Sequence, residues 1–487
     1  MNASVYTPAG SVKGSNLKIA EYASLDAVAL SDLIANRQVS ASEVQQSARD
    51  AILSVNEHLN ALSAPLFDVP LDYAAEGRFR GVPFAIKEAG PVAAAIPFCC
   101  GARFFQGAAP DRDSFIMERF RAAGLAALGS TTVPEMGVNF TTESLLHGAT
   151  RNPWDLDRTT GGSSGGAAAL VASGALPIAH ANDGAGSIRI PSAYCGLVGL
   201  KPSRYRTPVG PFHWDYMLGL AYEFGIARTV RDVAALLDAV HGYAPGERGA
   251  APPPGQPYSK IIDRPPSGLK IGLATEAWSG TAVDPEVVRA AEAAALLLED
   301  AGHSVERVSP SIDADALLRF YAVGLVAMVG QSLEQVGREP SDGELAAVSR
   351  QILREAASQR SVDFAASFHD GNAVARATGQ FFSSYDLLVT PTTAVPPFEL
   401  GRLKYDDTSH TAESWMRSIF EVGPFTAPFN VSGEPAISLP LGQSLTGLPI
   451  GVQFVAGYGR EDLLLQVAAF FETAAPWRDR RPKISAA

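Results

Sequence analysis

Cysteine is scarce in this 487-residue chain: there are three, two of them adjacent at Cys99 and Cys100. So few thiols build no disulfide framework, which fits a reducing compartment and small buried side chains. Positive charge is also short, with 39 Lys and Arg against 51 Asp and Glu and a net charge of −12. That balance argues against a nucleic-acid or anionic-membrane partner, since both need a basic surface. No run of 18 apolar residues occurs, so no transmembrane helix is expected. The apolar stretch from Ala167 to Ala179 is broken by Ser173, Gly174 and Pro177. The opening segment MNASVYTPAGSVKGSNLKIAEYASL lacks a charged start followed by an apolar core, so no secretory signal is expected. Internal repeats are missing too. A soluble cytoplasmic protein is the default expectation.

What is present is ordinary globular material, 46% hydrophobic and long enough to bury a large core. SLDAVALSDLIANRQ reads as a helix with Ser24 at its N-cap. A second helix starts at Ser40, where Ser40 and Glu43 have the spacing of a capping box. GVPFAIKEAG, Gly81 to Gly90, reads as a short buried strand ending on Lys87. DSFIMERFRAAGLAALGSTTVPE is a helix, a stop at Gly124 and a strand, one step of a largely parallel sheet. LKIGLATEAW begins a second such step, with Pro285 in the first turn of its helix and a strand after Gly302. YDLLVTPTT and LPIGVQFVA add two buried strands. The class is α/β, or a mixed sheet covered by helices. The Pro- and Gly-rich stretch between Gly242 and Gly268 reads equally as a linker or as an exposed connection within one domain.

Two regions carry candidate chemistry. TTGGSSGG, Thr159 to Gly166, sets two serines between glycine pairs. Downstream, Gly184-Ala185-Gly186-Ser187 is a run of small residues leading into a third serine. Successive amides in such a turn form an anion-binding nest, and a serine beside one has its own oxyanion site. A serine needs a base to attack at pH 7. His180 and Asp183 are near, but triad members normally come from separate segments, so His180 reads as a packing residue at a strand end. Lys87 is the other base on offer, because burial at the end of VPFAI lowers a lysine's pKa from about 10.4.

Three other motifs fail on context. Gly-x-Ser-x-Gly occurs at Ser163 and Ser164, but the preceding RNPWDLDRTT is polar and broken by proline, unlike the strand that a nucleophile elbow requires. GGSSGGAA lacks the Lys-Ser/Thr of a phosphate loop. GAGSIR puts Arg189 where a dinucleotide fingerprint needs glycine.

With Lys87, the serine pair and Ser187 in hand, the chain resembles the amidase signature family over roughly residues 20–475. The likeness rests on GVPFAIKE, TTVPEMGVNFTTESLLHGATRNPWD, TTGGSSGGAAALVASGALPIAHANDGAGSIRIPSAYCGLVGLKPS, YDLLVTPTTAVPPF and GEPAISLPLG. It implies an α/β fold with a central mixed, twisted sheet covered on both faces by helices, one domain over 1–487. Within it lie a helical segment at 20–65, a signature core at 80–245, a pocket-forming and covering region at 246–440 and a return to the sheet at 441–475.

The resemblance also implies roles. Ser187 is the nucleophile, Ser163 the bridging serine after a cis peptide bond, and Lys87 the terminal base, with amides of Gly184, Ala185, Gly186 and Ser187 holding the oxyanion. No metal or organic cofactor is implied. Gly137 and Asn139, within Met136 to Phe140, and Arg206 are expected at the substrate. Pocket walls are expected from residues 205–225, including the aromatic HWDYMLGLAYEF, and from 310–420. The sequence departs from the family at Ala185 (often glycine), Glu88 (commonly aspartate) and Asn182 (often threonine). Its AHANDGAGSIRIP block resembles the branch holding cyclic nylon-oligomer hydrolases, aryl acylamidases and urethane-cleaving enzymes. The expected activity is therefore hydrolysis of amides, with carbamates and esters in reach, on a small-molecule substrate. A glutamine-dependent amidotransferase subunit and an inactive binding protein are the alternatives; a homodimer is left open.

Overall fold

The computed structural model describes residues 17–486 apart from 91, 213 and 214. Helix Ala41–Leu59 starts as its sequence predicts: the Ser40 hydroxyl accepts from the Glu43 amide and the Glu43 carboxylate accepts from the Ser40 amide. The helix before it differs from expectation. Ser24 does not open a helix but closes one, Ile19–Ser24, by donating to the Glu21 carbonyl at 2.7 Å. Asp26 is the cap of the next, Ala27–Ala35, accepting from the Ala29 amide. A carboxylate two residues on takes the role given to the serine.

The core is one eight-stranded sheet. Its strands run in the order Ser304–Arg307, Lys270–Leu273, Leu387–Pro391, Pro449–Ala456, Ala436–Gln443, Val198–Lys201, Tyr222–Ala227 and Ile178–Asp183. Only the first three are mutually parallel; every later pairing is antiparallel. The steps read from the sequence as parallel are so locally, but Ala436–Gln443 and Pro449–Ala456 are joined by a tight turn, which imposes an antiparallel pair. The sheet is mixed, as the family resemblance implied.

A separate parallel pair, Val82–Lys87 with Leu125–Thr131, lies against the Ile178–Asp183 edge. Helix Gly165–Ala172 packs there as well, buried along its whole length. Two edges of backbone therefore converge beside the residues singled out from the sequence.

Helix Ala314–Glu334 is 21 residues long and apolar enough to cross a membrane. Two-thirds of its apolar window is buried inside the protein, against helices Ala347–Ala356, Ser361–Phe381 and Ala412–Val422. Its apolar surface is taken up by protein. The 242–268 stretch also lies on the body: it holds a short helix, Tyr258–Ile261, and Tyr258 is buried.

Candidate active site

Lys87 is the last residue of a strand buried at all six positions, and it is itself 1% exposed. Its backbone amide donates to His180 Nδ1, and its Nζ lies 2.8 Å from Ser163 Oγ. Ser163 follows a cis peptide bond from Gly162 and stands just before helix Gly165–Ala172.

Glycines here serve close approach. A Cβ on Gly162 would collide with the Thr141 carbonyl, one on Gly165 with the hydroxyls of Thr142 and Thr160, and one on Gly166 with Thr132. Ser164 turns away from Lys87 and donates to the Asn182 carbonyl. The glycine pairs thus let the segment wedge against its neighbours with Ser163 held toward the lysine.

Burial drives the electrostatics. Desolvation pulls the Lys87 amine down from 10.5 to about 7, against the upward pull of Glu223, Asp183 and Cys100. Asp183 is buried as well, which disfavours its charge, yet the Arg189 guanidinium outweighs burial and holds it at about 2. That pair is bidentate, with Arg189 Nε and Nη2 each 2.9 Å from a carboxylate oxygen.

Asn182 adds a contact that the sequence did not signal. Its Oδ1 accepts from Lys87 Nζ at 2.6 Å while its Nδ2 donates to Glu223 at 3.2 Å. Glu223 also accepts from His180 Nε2 at 2.7 Å. Burial opposes its charge, but the His180 and Asn182 donors and Lys87 keep its pKa low.

Ser187 sits on the turn between strand Ile178–Asp183 and helix Arg189–Cys195. Ser163, Ser187, Asn182, Gly184 and Ala185 all line one cavity of about 660 Å³, open mouth included. Gly137, Asn139 and the rest of Met136 to Phe140 form one wall; Met217 and Ala221, then Tyr321, Leu325, Met328, Met416 and Ile419, form others. These fall in the two regions expected to wall the pocket. His213 and Trp214, also expected there, lie outside the described residues.

Four of the chain's six methionines line this space, and among the described residues no charged side chain does. Such walls are apolar and adaptable. Among the described residues, none of the amides from Gly184 to Ser187 donates to another group of the chain.

Two expectations change, and one departure from the family pattern gains a role. Arg206 is not among the cavity residues; it is buried in a bidentate pair with Glu461, at 3.0 and 2.9 Å. A guanidinium this deep is stable only when paired, and the partner comes from the far C-terminal helix. His180 is no strand-end filler either: both ring nitrogens are engaged, by Lys87 and by Glu223. Glu88 holds the Cys99 amide and His147, so it braces the loop after Lys87.

The amidase family profile matches residues 41–465. The chain belongs to the amidase signature family. It is 39% identical over 475 residues to a 6-aminohexanoate-cyclic-dimer hydrolase of Paenarthrobacter ureafaciens, covering 94% of this chain and 96% of that one. A solved structure of a 6-aminohexanoate cyclic dimer hydrolase complexed with substrate superposes with a TM-score of 0.89 at 37% identity, over 95% of this chain and 99% of the other. A bacterial aryl acylamidase superposes at 0.80 with 27% identity, over 93% and 96%. This amidase is thus a hydrolase of amide C–N bonds on the amidase signature fold.

Proposed function

We propose that this amidase cleaves uncharged amides through an acyl-enzyme on Ser187, with Ser163 as bridge and Lys87 as base. The observation that carries the reading is the 2.8 Å approach of a buried lysine amine to Ser163 Oγ, at a cavity that Ser187 also lines. A neutral amine has two hydrogens and one lone pair. One hydrogen is committed to Asn182 Oδ1, which leaves the lone pair free to take the Ser163 proton.

In the forward step Lys87 Nζ gains the Ser163 proton as Ser163 gains that of Ser187. Ser187 Oγ then bonds to the carbonyl carbon, and the oxyanion is held by amides between Gly184 and Ser187. The protons return along the same path to the leaving nitrogen, the C–N bond breaks, and the acyl group remains as an ester on Ser187. Water, deprotonated by the same relay, attacks that ester and frees the acid. Carbamates and esters present the same carbonyl and fall within reach of the same chemistry.

The cavity favours a substrate without charge. Its described lining holds no charged side chain to pair with the ammonium or carboxylate of free glutamine, which speaks against the amidotransferase reading. The relative named for a cyclic dimer of 6-aminohexanoate suits this lining, because a ring closed by amides has no free termini.

The test is labelling with a fluorophosphonate, with the adduct mapped by mass spectrometry. Modification at Ser187 is expected, absent in Ser187→Ala and slowed in Lys87→Ala. A panel of cyclic amides, anilides, linear ω-amino amides, aryl carbamates and esters then ranks substrates. An adduct on Ser164, or amide hydrolysis that survives Ser187→Ala, overturns the proposal.

A further inference from the structure

A turn of glycine, alanine, glycine and serine has little to fix which way its amides face. Peptide planarity supplies the missing constraint. Across a trans peptide the carbonyl of one residue and the N–H of the next point in opposite directions, so anchoring the carbonyl aims the amide. All the peptide bonds in this turn are trans.

Every carbonyl behind the four amides is anchored. The Asp183 carbonyl accepts from Asn430 Nδ2 at 2.9 Å and the Gly184 carbonyl from the Tyr321 hydroxyl at 2.9 Å. The Ala185 carbonyl accepts from Thr426 Oγ1 at 2.5 Å, and the Gly186 carbonyl from the Ile190 amide at 2.7 Å. Only the last of these is local; the others come from chain segments more than a hundred residues away.

Thr426 is the most informative of them. It is fully buried and is not among the residues that line the cavity. A Cβ at position 186 would lie on its hydroxyl and its Cβ, and Gly186 has φ +144°, so the glycine makes room for it. Arg189 in turn grips this segment, donating to the Thr426 carbonyl at 2.8 Å and to Asn430 Oδ1 at 2.6 Å. The same guanidinium pairs with Asp183, at the start of the turn.

We infer that Thr426 is a positioning residue for the oxyanion site, acting with Tyr321 and Asn430. It fixes the plane of the Ala185–Gly186 peptide, between the cavity residues Ala185 and Ser187, and so sets the direction of the Gly186 amide. The inference rests on Ser187 as nucleophile.

The test compares Thr426→Val, which keeps the shape and removes the hydroxyl, with Thr426→Ser, which restores the hydroxyl. For the valine variant kcat is expected to fall about ten- to hundredfold, less than the ~10²–10³ for losing a donor outright. KM should change less than about threefold, and the pH profile, which reports Lys87, should not move. The serine variant should recover most of kcat.

Unchanged kcat in Thr426→Val overturns the inference, as does a serine variant impaired as deeply as the valine one. If the valine variant does not fold, Thr426→Ala removes the same hydroxyl with a smaller side chain, and normal kcat there overturns the inference equally. Hydrolysis that persists in Ser187→Ala marks failure of the underlying mechanism, a separate result.

Discussion

Asn182 Nδ2 donates to Glu223 Oε1, and that contact determines which end of the Asn182 amide meets Lys87. With the nitrogen committed to a carboxylate, the oxygen must face the amine, where it accepts at 2.6 Å. A buried lysine is thus oriented by one neutral acceptor, while the charge that steadies it stands one side chain farther off. This keeps the amine near neutrality and still aligned.

The pH dependence follows with a definite sign. Lys87 has its pKa lowered by burial to about 7, and only its uncharged form accepts a proton. In the proposed relay, kcat/KM therefore rises with pH through about 7 and levels off above it. The same shift has a stability consequence. Between about 7 and 10.5 the unfolded chain binds this proton and the folded one does not, so the group's contribution to stability grows more favourable as pH rises. Lys87→Met should abolish hydrolysis and raise Tm at pH 7, read by activity assay and calorimetry. A flat pH profile between 6 and 8 contradicts the assignment.

Glu223→Gln should move that profile. The carboxylate raises the Lys87 pKa, so removing its charge lets the pKa fall further. The amide also cannot satisfy both His180 and Asn182, so Asn182 loses the partner that turns its oxygen to the amine. Both effects lower the pKa. The acidic limb of kcat/KM is expected to shift down by roughly one pH unit, with a reduced plateau. A shift toward higher pH would sink this account of how Lys87 is tuned.

How much of this was readable in the chain alone depends on distance along it. The capping box at Ser40 and Glu43, the strand ending on Lys87 and the glycines around Ser163 are local patterns, and periodicity or steric need reveals them. Asn182 was visible only as a departure from a family pattern, with nothing to say that it meets Lys87. Glu223, Tyr321, Thr426 and Asn430 carry no local signal, because their partners lie tens to hundreds of residues away. The Ser24 expectation failed within reach of success: two capping residues competed, and the better-placed carboxylate of Asp26 won. The two parallel steps read from the sequence hold, Leu125–Thr131 beside Val82–Lys87 and Ser304–Arg307 beside Lys270–Leu273, whereas pairings such as Leu387–Pro391 with Pro449–Ala456 join strands too far apart in the chain for a short window to show.

Arg206 gives a last contrast between sequence and structure. Its position after KPSRY suggested a substrate contact, yet its guanidinium spans Glu461 and the Pro252 carbonyl, tying three distant segments together. Glu461 is fully buried and also accepts from the Ser203 amide, so it has no solvent to fall back on. Removing one member of such a pair leaves a buried charge unmatched, at a cost of roughly 3–5 kcal/mol. Arg206→Met should therefore lower Tm and speed thermal inactivation, while KM and kcat of the folded enzyme, measured well below Tm, stay near the parent values. A raised KM with an unchanged Tm would return Arg206 to the substrate.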